Sequence, residues 1–277
     1  MSEITNNDLS NKDGRSLIGV ILLYIKLELL ILLVSLPFIL ASYILKDYIP
    51  YEACRFIEII GLIFSHLCVI YLHCKKENFK IKVNQKLPIK FYVYILLFRL
   101  SYGLLYDSTI GAFLYTFEPS KTITERMTSI ASGNIFPIIS ACLIAPIVEE
   151  LLFRGVFLEY LRKKSSCITA VLISSLFFGL THFNLHQGVG AFFSGLFLGF
   201  IYLKTNSLLP CIFLHMAHNS FVVLITYFSI YPNEISPIII IISAGLLVIS
   251  LLLINRTKID ESKKFNFRFL EKHNLVQ

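Results

Sequence analysis

Charge is what this sequence has least of. Asp, Glu, Lys and Arg make up 16% of its 277 residues against 56% that are hydrophobic, and the mean hydropathy is +0.72. A chain so poor in charge lies outside the soluble globular range and reads as a polytopic membrane protein. Also missing is a basic stripe along one surface. Lys and Arg exceed Asp and Glu by 25 to 18, yet they flank apolar segments, which argues against nucleic acid as a partner. Cys54, Cys68, Cys74, Cys142, Cys167 and Cys211 show no C-x-x-C pair and no repeated spacing. They form neither a disulfide framework nor a zinc knuckle and read as small buried hydrophobes. No soluble domain, low-complexity tract or long linker interrupts the chain, so residues 1–277 are expected to form a single integral membrane domain. The first apolar run is too long for a signal-peptide core and has no small-residue cleavage site behind it, so it is expected to be retained.

What is present is a series of apolar segments, at about Leu17–Leu45, Cys54–Leu72, Phe91–Phe117, Ile135–Tyr160, Ile168–Phe183, Val189–Leu203, Leu208–Ile230 and Ile238–Ile254. Judged against the roughly 20 residues a helix needs to cross ~30 Å of hydrocarbon, these predict an all-α bundle of about eight transmembrane helices. The fifth and sixth are short and read as spans, as deeply buried helices or as a re-entrant pair; removing both leaves the sidedness of the rest unchanged. Of the 25 basic residues, 18 fall on one side: the N-terminal arm (Lys12, Arg15), the Lys75–Lys90 connection, Arg162–Lys164, Lys204 and the tail after Asn255. The positive-inside rule then places both termini in the cytoplasm of a multi-pass cell-membrane protein. The basic tail is expected to lie along the membrane surface. Within the third span Arg99 and Asp107 are eight apart and read as a polar stripe facing the bundle. Gly195-x-x-x-Gly199 and Gly190-x-x-x-Ser194 in the sixth let helix backbones approach closely.

The chemistry gathers around Ile144-Ala145-Pro146-Ile147-Val148-Glu149-Glu150-Leu151-Leu152-Phe153-Arg154-Gly155, which sets two carboxylates and a guanidinium in an apolar run. Ionisable residues at bilayer depth are expensive and need a reason. On a helix Glu150 and Arg154 are four apart and can pair, while Glu149 points ~100° away. On this stretch alone a structural ion pair and an active site stand level. His182 ends the fifth span, and His215 and Asn219 share a face of the seventh. At 1.5 Å per residue from the basic boundaries, Glu149 lies ~20 Å deep, His182 ~21 Å and His215 ~16 Å, so helices of opposite direction bring them to one level. Pro146 deprives the carbonyl of Cys142 of its donor and is expected to bend the helix there. A glutamate withdrawn from bulk water suits taking a proton from water and returning it to a leaving amine. A histidine and an asparagine amide facing it are donor types for an oxyanion. The competing chemistry is a zinc site, since Glu and His are zinc ligands and His182 and His186 lie four apart, but neither H-E-x-x-H nor a cysteine pair supports it.

Glu149-Glu150-x-x-x-Arg154, Phe178-x-x-x-His182 and His215-x-x-x-Asn219 resemble, in order and spacing, the three motifs of the CPBP superfamily, the CAAX-protease and bacteriocin-processing (Abi) intramembrane glutamic endopeptidases. The resemblance covers about Ile135–Phe221, residues 135–221 being the catalytic core, and includes Gly195, Gly199 and Ser207-Leu208-Leu209-Pro210. It implies a helical bundle and a glutamate-dependent mechanism without an obligatory metal. Carried over, Glu149 activates the attacking water with His182, and His215 and Asn219 form the oxyanion pocket. Glu150 and Arg154, with Phe178, support the site. His186 and His218 match no motif position and are expected to be structural.

The function expected is therefore intramembrane hydrolysis of a membrane-associated peptide or protein, with a CAAX-type prenyl protease and bacteriocin maturation or self-immunity as the family's range. A composition rich in Ile, Lys, Asn and Phe, as in an AT-rich genome, tilts toward the bacteriocin-linked role. Two other classes compete. A proton-coupled transporter would relay protons through the same residues but would show an inverted repeat, and no matching pair of interrupted helices is present. A catalytically inert immunity scaffold would keep its function without Glu149 and Glu150.

Overall fold

The computed structural model describes residues 6–78, 80–83, 87–114, 116–228 and 237–259. The expected surface-lying tail beyond residue 259 falls outside them, as does Lys86 of the basic connection. Nine helices occur among the described residues, and no strand: α1 (Asn6–Leu45), α2 (Tyr51–Lys76), α3 (Ile89–Leu114), α4 (Lys121–Ala131), α5 (Ile135–Arg162), α6 (Cys167–Leu180), α7 (Leu185–Thr205), α8 (Leu209–Phe228) and α9 (Pro237–Arg256). All but α4 and α6 are long and apolar enough to cross a membrane, seven in all, so the chain is an all-helical, multi-pass membrane protein.

The two segments read as short resolve differently. The sixth gains residues at both ends and becomes the 21-residue α7. The fifth stays at 14 residues as α6, ~21 Å against the ~30 Å of a hydrocarbon core, and does not reach across by itself. Local capping sets these ends. The Ser166 hydroxyl accepts from the Thr169 N–H at 3.1 Å to start α6, and the Asn184 amide oxygen accepts from the Gln187 N–H at 2.7 Å to start α7. Asn206, at φ 51°, closes α7 in the left-handed conformation that Asn tolerates better than most residues. The helix α4 falls in a connection for which the sequence reading assigned no element.

Polarity is distributed as lipid demands. Glu150 and Arg154 are among the most buried side chains, whereas Leu33 and Ile241 on α1 and α9 are 63% and 71% exposed. With acyl chains as solvent, exposed Leu and Ile cost nothing, and charge is driven inward.

The described chain divides into two compact units, Met1–Ile81 with Glu159–Ser165, and Lys82–Leu158 with Ser166–Gln277. In the first, α1 and α2 pack as a hairpin. A Cβ added at Gly61 would come within 2.5 Å of Phe38 Cβ, so the helices approach closely there, and the rings of Phe38 and Phe64 meet beside it, tilted, with centres 5.8 Å apart. Glu58 accepts from Ser42 Oγ at 2.8 Å across that seam and from the Arg55 guanidinium on its own helix.

In the second unit, α6 and α7 pack along small residues. Modelling a Cβ onto Gly195 brings it to 3.0 Å from Ser175 Cβ, and onto Gly199 to 2.9 Å from Val171 Cγ1, which is the close approach expected of the Gly-x-x-x-Gly pattern. The start of α8 is clasped from outside the helix. The N–H groups of Leu208 and Leu209 donate to the carbonyls of Lys82 and Val83 at 3.1 and 2.9 Å, and Ser207 Oγ donates to Val83 O at 2.8 Å. Backbone donors that a helix N-terminus leaves without partners are thereby satisfied. The clasp also fixes the register of the helix that carries His215 and Asn219.

Candidate active site

The two glutamates of the first motif sit on α5 between two widened π stretches, Ser140–Ile144 and Leu151–Leu158, and Arg154 lies within the second. In the first of them the Ala145 N–H donates to Ser140 O, five residues back. Ala141 O then lacks its i+4 donor, and its i+5 residue is Pro146, which has no N–H. Asn219 Nδ2 donates to that carbonyl at 2.8 Å instead. Beside the carbonyl of Cys142 that Pro146 is expected to open, the π stretch opens that of Ala141. It becomes the anchor that joins α8 to α5 beside the site.

One turn on, the two glutamates part as the helical geometry requires. Glu150 is fully buried, and its Oε1 accepts from Arg154 Nη1 at 3.0 Å and from His215 Nδ1 at 2.8 Å. Arg154 Nη2 donates to Gly195 O at 3.2 Å, and its guanidinium lies 4.6 Å from the centre of the Phe178 ring. The small residue at 195 therefore does two things, admitting α6 and offering its carbonyl to Arg154. Phe178 is the hub: its ring also meets those of His182 at 5.4 Å, His215 at 5.6 Å and Phe153 at 5.1 Å, all nearly edge-on. Cation–π and edge-to-face contacts hold three motifs around one ring.

Glu149 keeps 29% of its side chain exposed and faces a cavity of about 880 Å³, also lined by Phe178, His182, His215, His218 and Asn219. That volume lies within the range of small-ligand sites. Its carboxylate lies 3.7 Å from His215 Nε2, beyond direct hydrogen bonding and at a separation a water molecule can bridge. His182 Nδ1 contacts Phe178 O at 2.9 Å. A carbonyl only accepts, so Nδ1 carries the hydrogen, and on the neutral ring Nε2 is the acceptor. The same logic assigns a hydrogen to His215 Nδ1 against Glu150; its Nε2 donates only when the ring holds both protons. Just past His182, Phe183 has a φ of 51°, uncommon for a bulky residue, and Asn184 Nδ2 donates to His182 O at 2.7 Å. These contacts hold the end of α6 against the cavity.

All seven residues singled out from the motifs are therefore brought together within the second unit. Glu149 and His182, expected to act together on one water, line the same cavity, and Glu149 stands beside His215. His186 bonds Phe117 O at 3.1 Å, and both it and His218 join the lining. Sequence reasoning missed the cover supplied by α4, whose Ile123, Met127 and Ile130 line the cavity. Their i, i+4, i+7 spacing was the available signal. Arg99, Tyr102, Gly103, Tyr106 and Asp107 of α3 line it too, at spacings that put them on one helix face. The bundle-facing stripe expected there faces the cavity. Among the described residues no three His, Cys, Asp or Glu side chains are placed to share a metal ion.

Residues 131–221 match the family described as "Type II CAAX prenyl endopeptidase Rce1-like", a span that contains all seven motif residues. The CPBP resemblance drawn from the three motifs thus stands on the Rce1-like segment, within 10 residues of where it was expected to begin. A protein of Bacillus subtilis (strain 168) named "Putative membrane peptidase YdiL" is 34% identical over 101 residues, which is 36% of this chain and 41% of that relative's length. No solved structure matches the chain significantly.

Proposed function

We propose that the protein is an intramembrane peptidase that hydrolyses a membrane-associated peptide or protein with water activated by Glu149. The observation that carries this reading is the cavity in which a partly exposed Glu149 carboxylate stands 3.7 Å from His215 Nε2, with His182 and Asn219 also lining it. The Rce1-like segment and the peptidase name of the Bacillus subtilis relative support the reaction class.

In the mechanism we infer, Glu149 takes a proton from water as its oxygen attacks the scissile carbonyl. His182 Nε2 accepts a hydrogen bond from that water and orients it. The oxyanion that forms receives one N–H from Asn219, whose other N–H is held by Ala141 O, and one from His215 Nε2. For Nε2 to donate, His215 carries both protons. With water bound the charges of Glu149, Glu150, Arg154 and His215 sum to zero, and with the oxyanion counted they still do once Glu149 has taken its proton, the economical state for a desolvated cluster. Glu149 finally returns the proton to the leaving amine. Glu150, Arg154 and Phe178 act by holding His215 in place. No step calls for a metal, and a chelator is expected to leave turnover unchanged. Both a prenylated CAAX-type substrate and a bacteriocin-linked peptide fall within this reading.

The test is purified protein in detergent, assayed against a lipidated CAAX peptide and a hydrophobic leader peptide by mass spectrometry. Glu149→Gln and His182→Ala are each expected to lower turnover by about 10²–10⁴-fold while thermal stability is retained. Full activity in both variants would overturn the mechanism.

A further inference from the structure

Besides the reacting groups, the cavity holds a charge that the hydrolysis does not use. Arg99 on α3 is only 4% exposed, yet it lines the cavity together with Gly103, one turn away. Its Nε and Nη1 have no hydrogen-bond partner, and Nη2 reaches only His218 O at 3.5 Å, the long limit of such a bond. The guanidinium rests over the Phe221 ring at 4.8 Å. Asp107, two turns further along α3, forms no ion pair with it among the described residues.

Arg154, the other buried guanidinium of this unit, shows what a structural arginine looks like here. It has a carboxylate at 3.0 Å, a backbone carbonyl at 3.2 Å and a ring beneath it. Arg99 has the ring and little else. A buried cation short of acceptors is costly unless something supplies them. Gly103 is part of the arrangement, since a Cβ there would fall 2.0 Å from Arg99 Nη1. Only glycine leaves room for the guanidinium in this position.

We propose that Arg99 is a specificity-determining residue that receives a carboxylate of the peptide substrate, at its chain end or on an acidic side chain. This rests on the peptidase reading above, since that reading places a peptide in the cavity. A carboxylate supplies the missing acceptors and neutralises the charge through the charge-assisted pairing for which arginine is best suited. His218 O is the hinge of the subsite: it lies on α8, next to Asn219 in sequence, so the helix that supports Arg99 is also the one that carries the oxyanion donor.

Binding, not cleavage, tests this, so that failure of the peptidase reading leaves the result interpretable. The probes are an N-dodecanoyl tripeptide of apolar residues with a free carboxylate, its C-terminal amide, and the amide with Glu as its middle residue, titrated by calorimetry into full-length Glu149→Gln protein in detergent. At least one carboxylate probe is expected to bind about tenfold tighter than the plain amide. Which one does distinguishes chain end from side chain. Adding Arg99→Gln is expected to bring that ratio to about one with amide affinity unchanged, and Arg99→Lys to keep part of it. Gly103→Ala, which displaces the guanidinium without removing it, is expected to lower the ratio as well and serves if Arg99→Gln does not fold. Equal binding of all three probes, or a preference that survives Arg99→Gln or Gly103→Ala, overturns the proposal. So does dodecyl phosphate binding more tightly than either carboxylate through Arg99, which would make the subsite one for a lipid headgroup.

Discussion

Two arginine–glutamate pairs, one in each compact unit, use the same residue types at nearly the same helical spacing and differ in almost everything else. On α2, Arg55 and Glu58 are an i,i+3 pair whose side chains are 39% and 33% exposed. On α5, Glu150 and Arg154 are an i,i+4 pair exposed by 0% and 1%. The first shares its carboxylate with a serine that ties α1 to α2. The second shares its carboxylate with His215 and its guanidinium with Gly195 and Phe178, so that it ties α5 to α6, α7 and α8. Burial turns a pair of small consequence into the part around which the cavity is assembled, because removing one member of a buried pair strands the other.

The sharpest way to test that contrast is to remove one arginine from each. Arg154→Leu strands Glu150 and loosens His215, and is expected to cost about 3–5 kcal/mol of stability, read by thermal or denaturant unfolding in detergent. Replacing Glu150 and Arg154 together by leucine is expected to recover most of that stability while leaving turnover abolished, since no carboxylate then holds His215 Nδ1. Activity that returned along with stability would break the comparison. Next in size is Asn219→Ala, which removes both the α8–α5 anchor and the proposed oxyanion donor. Turnover is expected to fall by about 10²–10³-fold, with KM for a cleaved peptide little changed. A change confined to KM would reduce Asn219 to a positioning residue. The smallest effect is expected from Arg55→Leu, at about 0–1 kcal/mol with turnover unaltered. A loss as large as that of Arg154→Leu would mean that exposure does not set the difference.

Much of the site could be read from spacing alone. Glu149 and Glu150 had to part on a helix, Glu150 had to be able to meet Arg154, and His215 and Asn219 had to share a face, because these follow from 3.6 residues per turn. Counting rise per residue brought Glu149, His182 and His215 to one level, and the three line one cavity. Where it fell short was at departures from the regular helix. The π stretch before Ala145 opened the carbonyl of Ala141, and no count at a fixed period could have placed Asn219 on it. That Glu149 stands 3.7 Å from His215 Nε2 likewise depends on how α8 approaches α5, which side-chain packing decides.

The fold divides the same way. Composition determined a helical membrane bundle, since backbone polar groups in hydrocarbon must be satisfied within each segment. The apolar runs located its helices to within a few residues, except that α1 begins at Asn6, well before the apolar run at Leu17, and the polar residues inside them marked where chemistry was to be sought. Only the tertiary structure decided that α6 is too short to cross by itself, that α4 lines the cavity, and that the stripe from Arg99 to Asp107 faces the same space as Glu149. The physical reason is one of range. Helical periodicity and hydropathy act between residues a few places apart, whereas the contacts that distinguish a paired arginine from one short of acceptors join residues as far apart as Arg99 and His218.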